Sequence, residues 1–206
     1  MVTKQEFLKI LKSLNLDRNS IIKSSLELAE KGHKNQLRDN GNSYLEEHIY
    51  PLGVSIIERY KFQDNFLILL PCALLHDVLE DSEIKESEMK QKVGKQITNI
   101  VKILTKTDEE NAEEISREEK MKLNEKYLKK VINSNGEAII IKLEDRLQNL
   151  SCITKDTYII KPEKYKIYAI ETEKLFIPLA KKLGGTFDYE KLLNIEIDRI
   201  NRLFNL

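Results

Sequence analysis

Residues 66–81 read FLILLPCALLHDVLED. From Phe66 to Leu75 no side chain is charged, and a helix that is apolar on every side belongs in the middle of a core. Pro71 marks either a first turn or a kink in it. The run then ends abruptly in His76, Asp77, Glu80 and Asp81. On one continuous helix over 66–81, His76 and Glu80 are i, i+4 neighbours, as are Asp77 and Asp81. Several anionic groups thus share the end of the most apolar segment of the chain, where unpaired charge is costly.

The segments on either side carry helical periodicity. Phe7, Leu8, Ile10, Leu11 and Leu14 form one stripe over 4–14, and Ile21, Ile22, Leu26 and Leu28 another over 19–31. The turn cluster Asp39–Ser43 predicts a following helix over about 44–60. Further helices are read over 95–104, 114–133, 162–183 and 188–205, with a polar loop over 105–114 and a stop at Ser134-Asn135-Gly136. Pro162 suits a first helical turn, Pro178 predicts a late kink, and Gly184-Gly185 reads as a C-cap. Ala138-Ile139-Ile140-Ile141 suits a buried strand or an enclosed helix; with no partner strand in view, it is read as helix. Seven Gly and four Pro in 206 residues cannot supply the turns of an all-β fold. The expectation is an all-α single domain, residues 1–206, of eight or more helices, with the 66–81 helix central.

Composition narrows the function classes. Lys+Arg and Asp+Glu are both 34, so formal net charge is zero, which argues against gripping nucleic acid by bulk electrostatics. No apolar run reaches the length of a membrane helix, and the charged start does not read as a secretory signal. Cys72 and Cys152 form neither a disulfide framework nor a zinc-type spacing, so a cytoplasmic protein is expected; Cys72 reads as core. Three histidines are present: His33, His48 and His76.

Two settings point to chemistry. His76-Asp77 offers one nitrogen and one oxygen ligand, a mixture suited to Zn, Fe or Mn rather than Ca; the plain alternative is a helix end with solvated charges. Asp145 and Asn149 are i, i+4 after an apolar run, with Asp145 paired to Lys142 or Arg146 as the plain alternative. His48, beside Glu46 and Glu47, has no chemistry of its own to distinguish it from a structural histidine.

Together these pieces resemble the HD superfamily of metal-dependent phosphohydrolases. More narrowly they resemble the hydrolase domain of RelA/SpoT-type alarmone enzymes and the stand-alone small alarmone hydrolases. The family's His, His-Asp, Glu-Asp and distant Asp read here as His48, His76-Asp77, Glu80-Asp81 and Asp145. His33, Gln36, Arg38, Gly41 and Tyr44 keep the spacing of the segment H-x-x-Q-x-R-x-x-G-x-x-Y. Leu104-Thr105-Lys106 with Tyr127-Leu128, the run from Lys142 to Leu150, and the blocks from Pro162 to Gly184 match the later segments in order.

Three departures stand out. His48 lies four residues after Tyr44, where the family has three, and lacks the following Pro. An alternative register puts Tyr50 at that ligand position; His48 is preferred because Tyr is a poor ligand for this metal class, and because Leu52 and Gly53 then fall in place without a gap. Asp39 replaces a basic residue after Arg38. Ser151 and Cys152 replace the Arg and Thr usual after the Asn.

The resemblance implies a helical-bundle HD fold and one divalent metal, Mn²⁺, held by His48, His76, Asp77 and Asp145. It implies Glu80 and Asp81 as the pair acting on water, and Arg38 and Asn149 as substrate-binding residues. The implied reaction removes pyrophosphate from the 3′ position of (p)ppGpp, a small-molecule nucleotide partner, with oligomeric state open. A dedicated hydrolase is expected, since the synthetase domain of the full-length enzymes has no counterpart in this sequence. Two other readings stay open: an HD phosphohydrolase for another nucleotide or a 3′-phosphorylated metabolite, and a catalytically idle alarmone sensor.

Overall fold

In the computed structural model of the protein, residues 1–107, 116–185 and 187–204 are described, and all regular structure among them is helical. The only strand-type pairing among them is an isolated antiparallel bridge between Leu37 and Ser43. The described residues fall into two compact units, Met1–Thr105 and Lys106–Leu206.

The first unit contains α1 (Lys4–Ser13), α2 (Ser20–Gly32), α3 (Tyr50–Tyr60), α4 (Phe66–Leu75), α5 (Val78–Asp81) and α6 (Glu86–Leu104). Thr3 and Glu6 close α1 with a reciprocal capping box, and the Asn19 side chain caps α2. The apolar run supplies the centre, as expected: Leu69, Leu70, Cys72, Ala73, Leu74 and Leu75 are fully buried, and α4 packs against α2, α3 and α6. Pro71 lies inside α4. It removes one helical hydrogen bond, at the carbonyl of Leu67, a residue half exposed to water.

The predicted continuous helix over 66–81 is broken. α4 ends at Leu75, and Asp77 sits at φ −103°, ψ −3° before the single turn of α5. The i, i+4 pairing of His76 with Glu80 therefore does not hold as helix geometry. Likewise the helix read over 95–104 begins at Glu86 and is bent at Gly94, whose φ of 84° is left-handed. Residues 86–93 carry only Met89 and Val93 as apolar anchors, too sparse a pattern to announce a helix.

The helix expected over 44–60 contains a π-turn at Leu45–Ile49, closed by the Tyr50 N–H donating to the Leu45 carbonyl, before Pro51 in the first turn of α3. A proline cannot donate to the carbonyl four residues back, and its ring clashes there. Widening the preceding turn by one residue relieves both problems.

The second unit contains α7 (Arg117–Ile132), α8 (Gly136–Ser151), α9 (Lys155–Ile160), α10 (Pro162–Glu171), α11 (Ile177–Leu183) and α12 (Tyr189–Phe204). The ambiguous Ile139–Ile141 run is helix, in the middle of α8, whose buried face packs on α7, α11 and α12. Asn135, read as a stop, also caps α8 through its side chain. The kink expected from Pro178 takes the form of a second π-turn, Thr172–Phe176, immediately before α11. Most of the predicted 105–114 loop and the first residues of the predicted 114–133 helix, together with residue 205, lie outside the described residues. Among the described residues, no helix is long and apolar enough to cross a membrane.

Candidate metal centre

Three side chains converge in the first unit. His48 comes from the π-turn, His76 from the end of α4, and Asp77 from the break that follows. Their ligand atoms lie within 4.8 Å of one another. His48 Nε2 is 3.3 Å from His76 Nε2 and 3.9 Å from Asp77 Oδ2; His76 Nε2 is 2.9 Å from the same oxygen. Both histidines are buried, at 1% and 2% exposure. His76 Nδ1 donates to the Ala73 carbonyl at 2.9 Å, because a carbonyl can only accept. The neutral ring then presents a bare Nε2 lone pair to a second imidazole and a carboxylate oxygen. Three electron-rich atoms facing one another are stable only around a proton or a cation. Two nitrogens and one oxygen are a donor set that suits a first-row divalent ion, and the Nδ1 bond fixes ring orientation in the manner of metal-binding histidines.

The π-turn explains the unusual spacing. It accommodates one extra residue between Tyr44 and His48, and leaves His48 facing His76. Tyr50 points elsewhere: its ring stacks on Phe7 at 5.1 Å and its hydroxyl donates to Glu30 at 3.0 Å. Burial and the Glu30 carboxylate push its pKa up, so it stays a neutral phenol.

A shell of further polar residues surrounds this centre. Tyr44 donates its hydroxyl to Asp77 Oδ2 in a short hydrogen bond, and its ring lies 5.0 Å from both His33 and His48. Gln36 Nε2 donates to Asp81 Oδ2 at 2.9 Å. Although Asp81 is open to solvent on one edge, the protein around it strips water from the carboxyl and the Asp77 carboxylate adds like charge; both hold its pKa above the ordinary aspartate value. Glu80 and Asp81 lie on α5, beside two open hollows lined by Lys31, Gly32 and the chain from Glu80 to Ile84 on one side, and by Lys34 to Gln36 on the other. Arg38 stands over the Tyr44 ring, 5.7 Å from its centre, with Nε 4.0 Å from Glu47. Glu47 also accepts from Asn40 at 2.8 Å and Asn42 at 3.2 Å, and so ties down the loop that carries Arg38. Tyr44 and Gln36 stood in the family segment without a role. Their targets lie 33 and 45 residues away, beyond any local spacing rule.

In the second unit Asp145 lies on α8, 6% exposed. Its Oδ2 is 2.8 Å from Lys142 Nζ, and its Oδ1 accepts from Asn149 Nδ2 at 2.6 Å. The i, i+4 neighbours Asp145 and Asn149 are thus bonded, and the Lys142 ion pair is the one named above as the plain alternative for Asp145. Arg146 turns the other way, onto Glu171 at 3.3 Å and the Phe176 ring at 4.0 Å.

A model of the HD domain matches residues 25–186. The chain belongs to the HD-domain family. HD-domain hydrolases depend on divalent metal, and the His48–His76–Asp77 group is a possible site for one. Among sequence relatives, the guanosine-3′,5′-bis(diphosphate) 3′-pyrophosphohydrolase of Spiroplasma citri is 30% identical over 184 residues, covering 87% of this chain and 23% of its own. The protein of the same name from Aquifex aeolicus is 31% identical over 163 residues, covering 79% of this chain and 21% of its own. The chain thus spans less than a quarter of the length of these relatives. A solved metazoan ortholog of SpoT, described as hydrolysing ppGpp, shares the fold at a TM-score of 0.63 and 21% identity, covering 89% of this HD-domain chain and 95% of its own.

Proposed function

We propose that this HD-domain protein is a metal-dependent phosphohydrolase that removes the 3′-pyrophosphate of (p)ppGpp. The observation that carries the reading is the convergence of His48 Nε2, His76 Nε2 and Asp77 Oδ2 in a chain whose sequence relatives bear the name of that activity. His48, His76 and Asp77 hold the ion, with Asp145 as the fourth ligand on the strength of the sequence pattern and its burial. Mn²⁺ is the ion the mixed nitrogen and oxygen set and the family resemblance favour. A divalent ion bound there supplies Lewis acidity toward a phosphoryl oxygen and a water.

The remaining work falls to side chains. Glu80 and Asp81 orient a water and accept its proton, a role that suits Asp81 because its raised pKa makes it a better base than an ordinary aspartate. Tyr44 holds Asp77 through its hydroxyl. Arg38, fixed by Glu47 and the Tyr44 ring, meets the nucleotide by stacking or by bonding phosphate. Asn149 bonds sugar or phosphate. The two cysteines, neither of them in a disulfide, fit a reducing cytoplasm.

A second reading, hydrolysis of another nucleotide or 3′-phosphorylated metabolite, is favoured by Asp39, Ser151 and Cys152. Ser151 donates to the Gln148 carbonyl at 2.8 Å, and Cys152 Sγ accepts from the Gln148 side chain at 3.4 Å. Both are thus engaged with their own helix end rather than offering a cation to phosphate. Incubation of the Mn²⁺-loaded protein with a nucleotide panel tests both. Release of pyrophosphate from guanosine 3′,5′-bis(diphosphate) is the expected result. Turnover of a different member only supports the second reading, and binding without turnover identifies a sensor.

A further inference from the structure

His33 and Gln36 belong to the segment that marks the family resemblance, yet the reading above gives them no part. The structure links them to Asp81. His33 Nδ1 lies 2.5 Å from Gln36 Oε1, and Gln36 Nε2 lies 2.9 Å from Asp81 Oδ2. The polarity of this chain follows from its last member. An ionised carboxylate only accepts, so the Gln36 amide must turn its N–H₂ to Asp81 and its carbonyl to His33. The nitrogen of His33 facing that carbonyl must then carry the proton. His33 is therefore fixed as the Nδ1–H tautomer. Its other nitrogen, Nε2, is buried with no hydrogen-bond partner among the described residues, a place where a bare lone pair is less costly than an N–H bond or a charge. Burial correspondingly holds the His33 pKa below the ordinary histidine value.

The histidine is itself held rigidly. Its backbone N–H closes α2 on the Ala29 carbonyl at 2.9 Å, and its ring is 1% exposed. Gly32, just before it, lets α2 approach the end of α5. A Cβ there would stand 3.1 Å from Ser82 Oγ. The main-chain carbonyl of Gln36 accepts from the Tyr44 N–H at 3.0 Å. Segment 33–44 thus delivers one donor to Asp81, from Gln36, and one to Asp77, from Tyr44.

We infer that His33 and Gln36 are positioning residues that orient the Asp81 carboxylate for its part in turnover, His33 by locking the amide of Gln36 and Gln36 by holding one carboxylate oxygen. The inference rests on the proposed role of Asp81. With one oxygen tied down, the other keeps a fixed direction, and the rotational freedom of a side chain on a single-turn helix is removed before substrate arrives.

The experiment combines kinetics with a tautomer measurement on the metal-loaded protein, with guanosine 3′,5′-bis(diphosphate) as substrate. Gln36→Met keeps the side-chain length and removes both hydrogen bonds. It should lower kcat about tenfold or more, the worth of a hydrogen bond to a charged group, with KM and bound metal unchanged. His33→Leu should do the same, and His33→Asn, which keeps an N–H near the Nδ1 position, should recover most of the loss. Because Gln36 acts through Asp81, adding Gln36→Met to Asp81→Asn should cost nothing further. A Gln36→Met variant at the wild-type kcat overturns the inference. So does one that lowers kcat equally on both backgrounds.

If the wild type does not turn over the substrate, or Asp81→Asn leaves turnover intact, the functional reading fails instead. Long-range ¹H–¹⁵N spectra of the Mg²⁺-loaded protein then decide the linkage by themselves. The Nδ1–H tautomer of His33, lost in part in Gln36→Met, supports it. An Nε2–H tautomer, or no change on substitution, overturns it.

Discussion

At the residue scale, the proposed roles of the His76-Asp77 and Glu80-Asp81 pairs differ in what holds each carboxylate. Asp77 shares its Oδ2 with His76 and Tyr44, whereas Asp81 is held by Gln36. Replacing Asp77 with Asn should remove metal and turnover together, because a neutral amide is a poor substitute for a carboxylate ligand. Replacing Glu80 with Gln and Asp81 with Asn should leave metal content near stoichiometric and lower kcat by about 10²–10⁴. Metal analysis beside the kinetics checks both, and the opposite pattern would invert the two assignments.

His33 gives a pH signature. Its folded pKa is depressed, chiefly by burial, while the unfolded chain titrates near the ordinary value of about 6.5. Above that value both states are neutral and His33 exerts no pull. As pH falls below it, the unfolded chain takes up the proton first, and stability is lost until the folded pKa is passed. Urea midpoints measured between pH 7 and 5 should therefore fall less steeply in His33→Asn than in the wild type. The His-Asp and Glu-Asp pairs were legible in the sequence because they are local. The Tyr44–Asp77 and Gln36–Asp81 bonds were not, since each joins residues that only the folded chain brings together.

At the element scale, most helices were legible from periodicity, and the errors cluster where a helix is interrupted. The all-α reading holds, including the β-branched Ile139–Ile141 run, whose enclosure in α8 overrides its strand propensity. The break at His76–Asp77 was invisible, because Val78 and Leu79 resume the apolar pattern beyond it and mask the end of α4. The π-turn at Leu45–Ile49 was visible only as one residue too many before His48. That turn leads into α3, where Gly53 carries a packing constraint. A Cβ at Gly53 would come within 2.9 Å of two ring carbons of Phe7, and Phe7 is fully buried. Gly53→Ala should thus destabilise the protein by about 1–3 kcal/mol, the usual penalty of overpacking. In a urea titration, adding Phe7→Leu should return part of that loss, since a smaller, branched side chain vacates the clash. Full additivity of the two substitutions would show that the contact is not what limits α3.

At the scale of the whole molecule, the HD-domain match runs across both compact units, while the proposed ligands divide unevenly between them. His48, His76 and Asp77 belong to Met1–Thr105, and Asp145 to Lys106–Leu206. Binding to the folded state alone stabilises it by RT ln(1 + [L]/Kd), about 2.7 kcal/mol at a hundredfold excess over Kd. For a chain of 206 residues this corresponds to a rise in Tm of about 5–10 °C. The three converging ligands make that rise informative. An ion held by His48, His76 and Asp77 should raise the Tm when Mn²⁺ is added, and Asp77→Asn should lose the rise altogether. Asp145→Ala tests the fourth proposed ligand: a rise smaller than that of the wild type is the expected result in calorimetry. An Mn²⁺-dependent rise equal to that of the wild type would remove Asp145 from the ligand set while leaving His48, His76 and Asp77 in it.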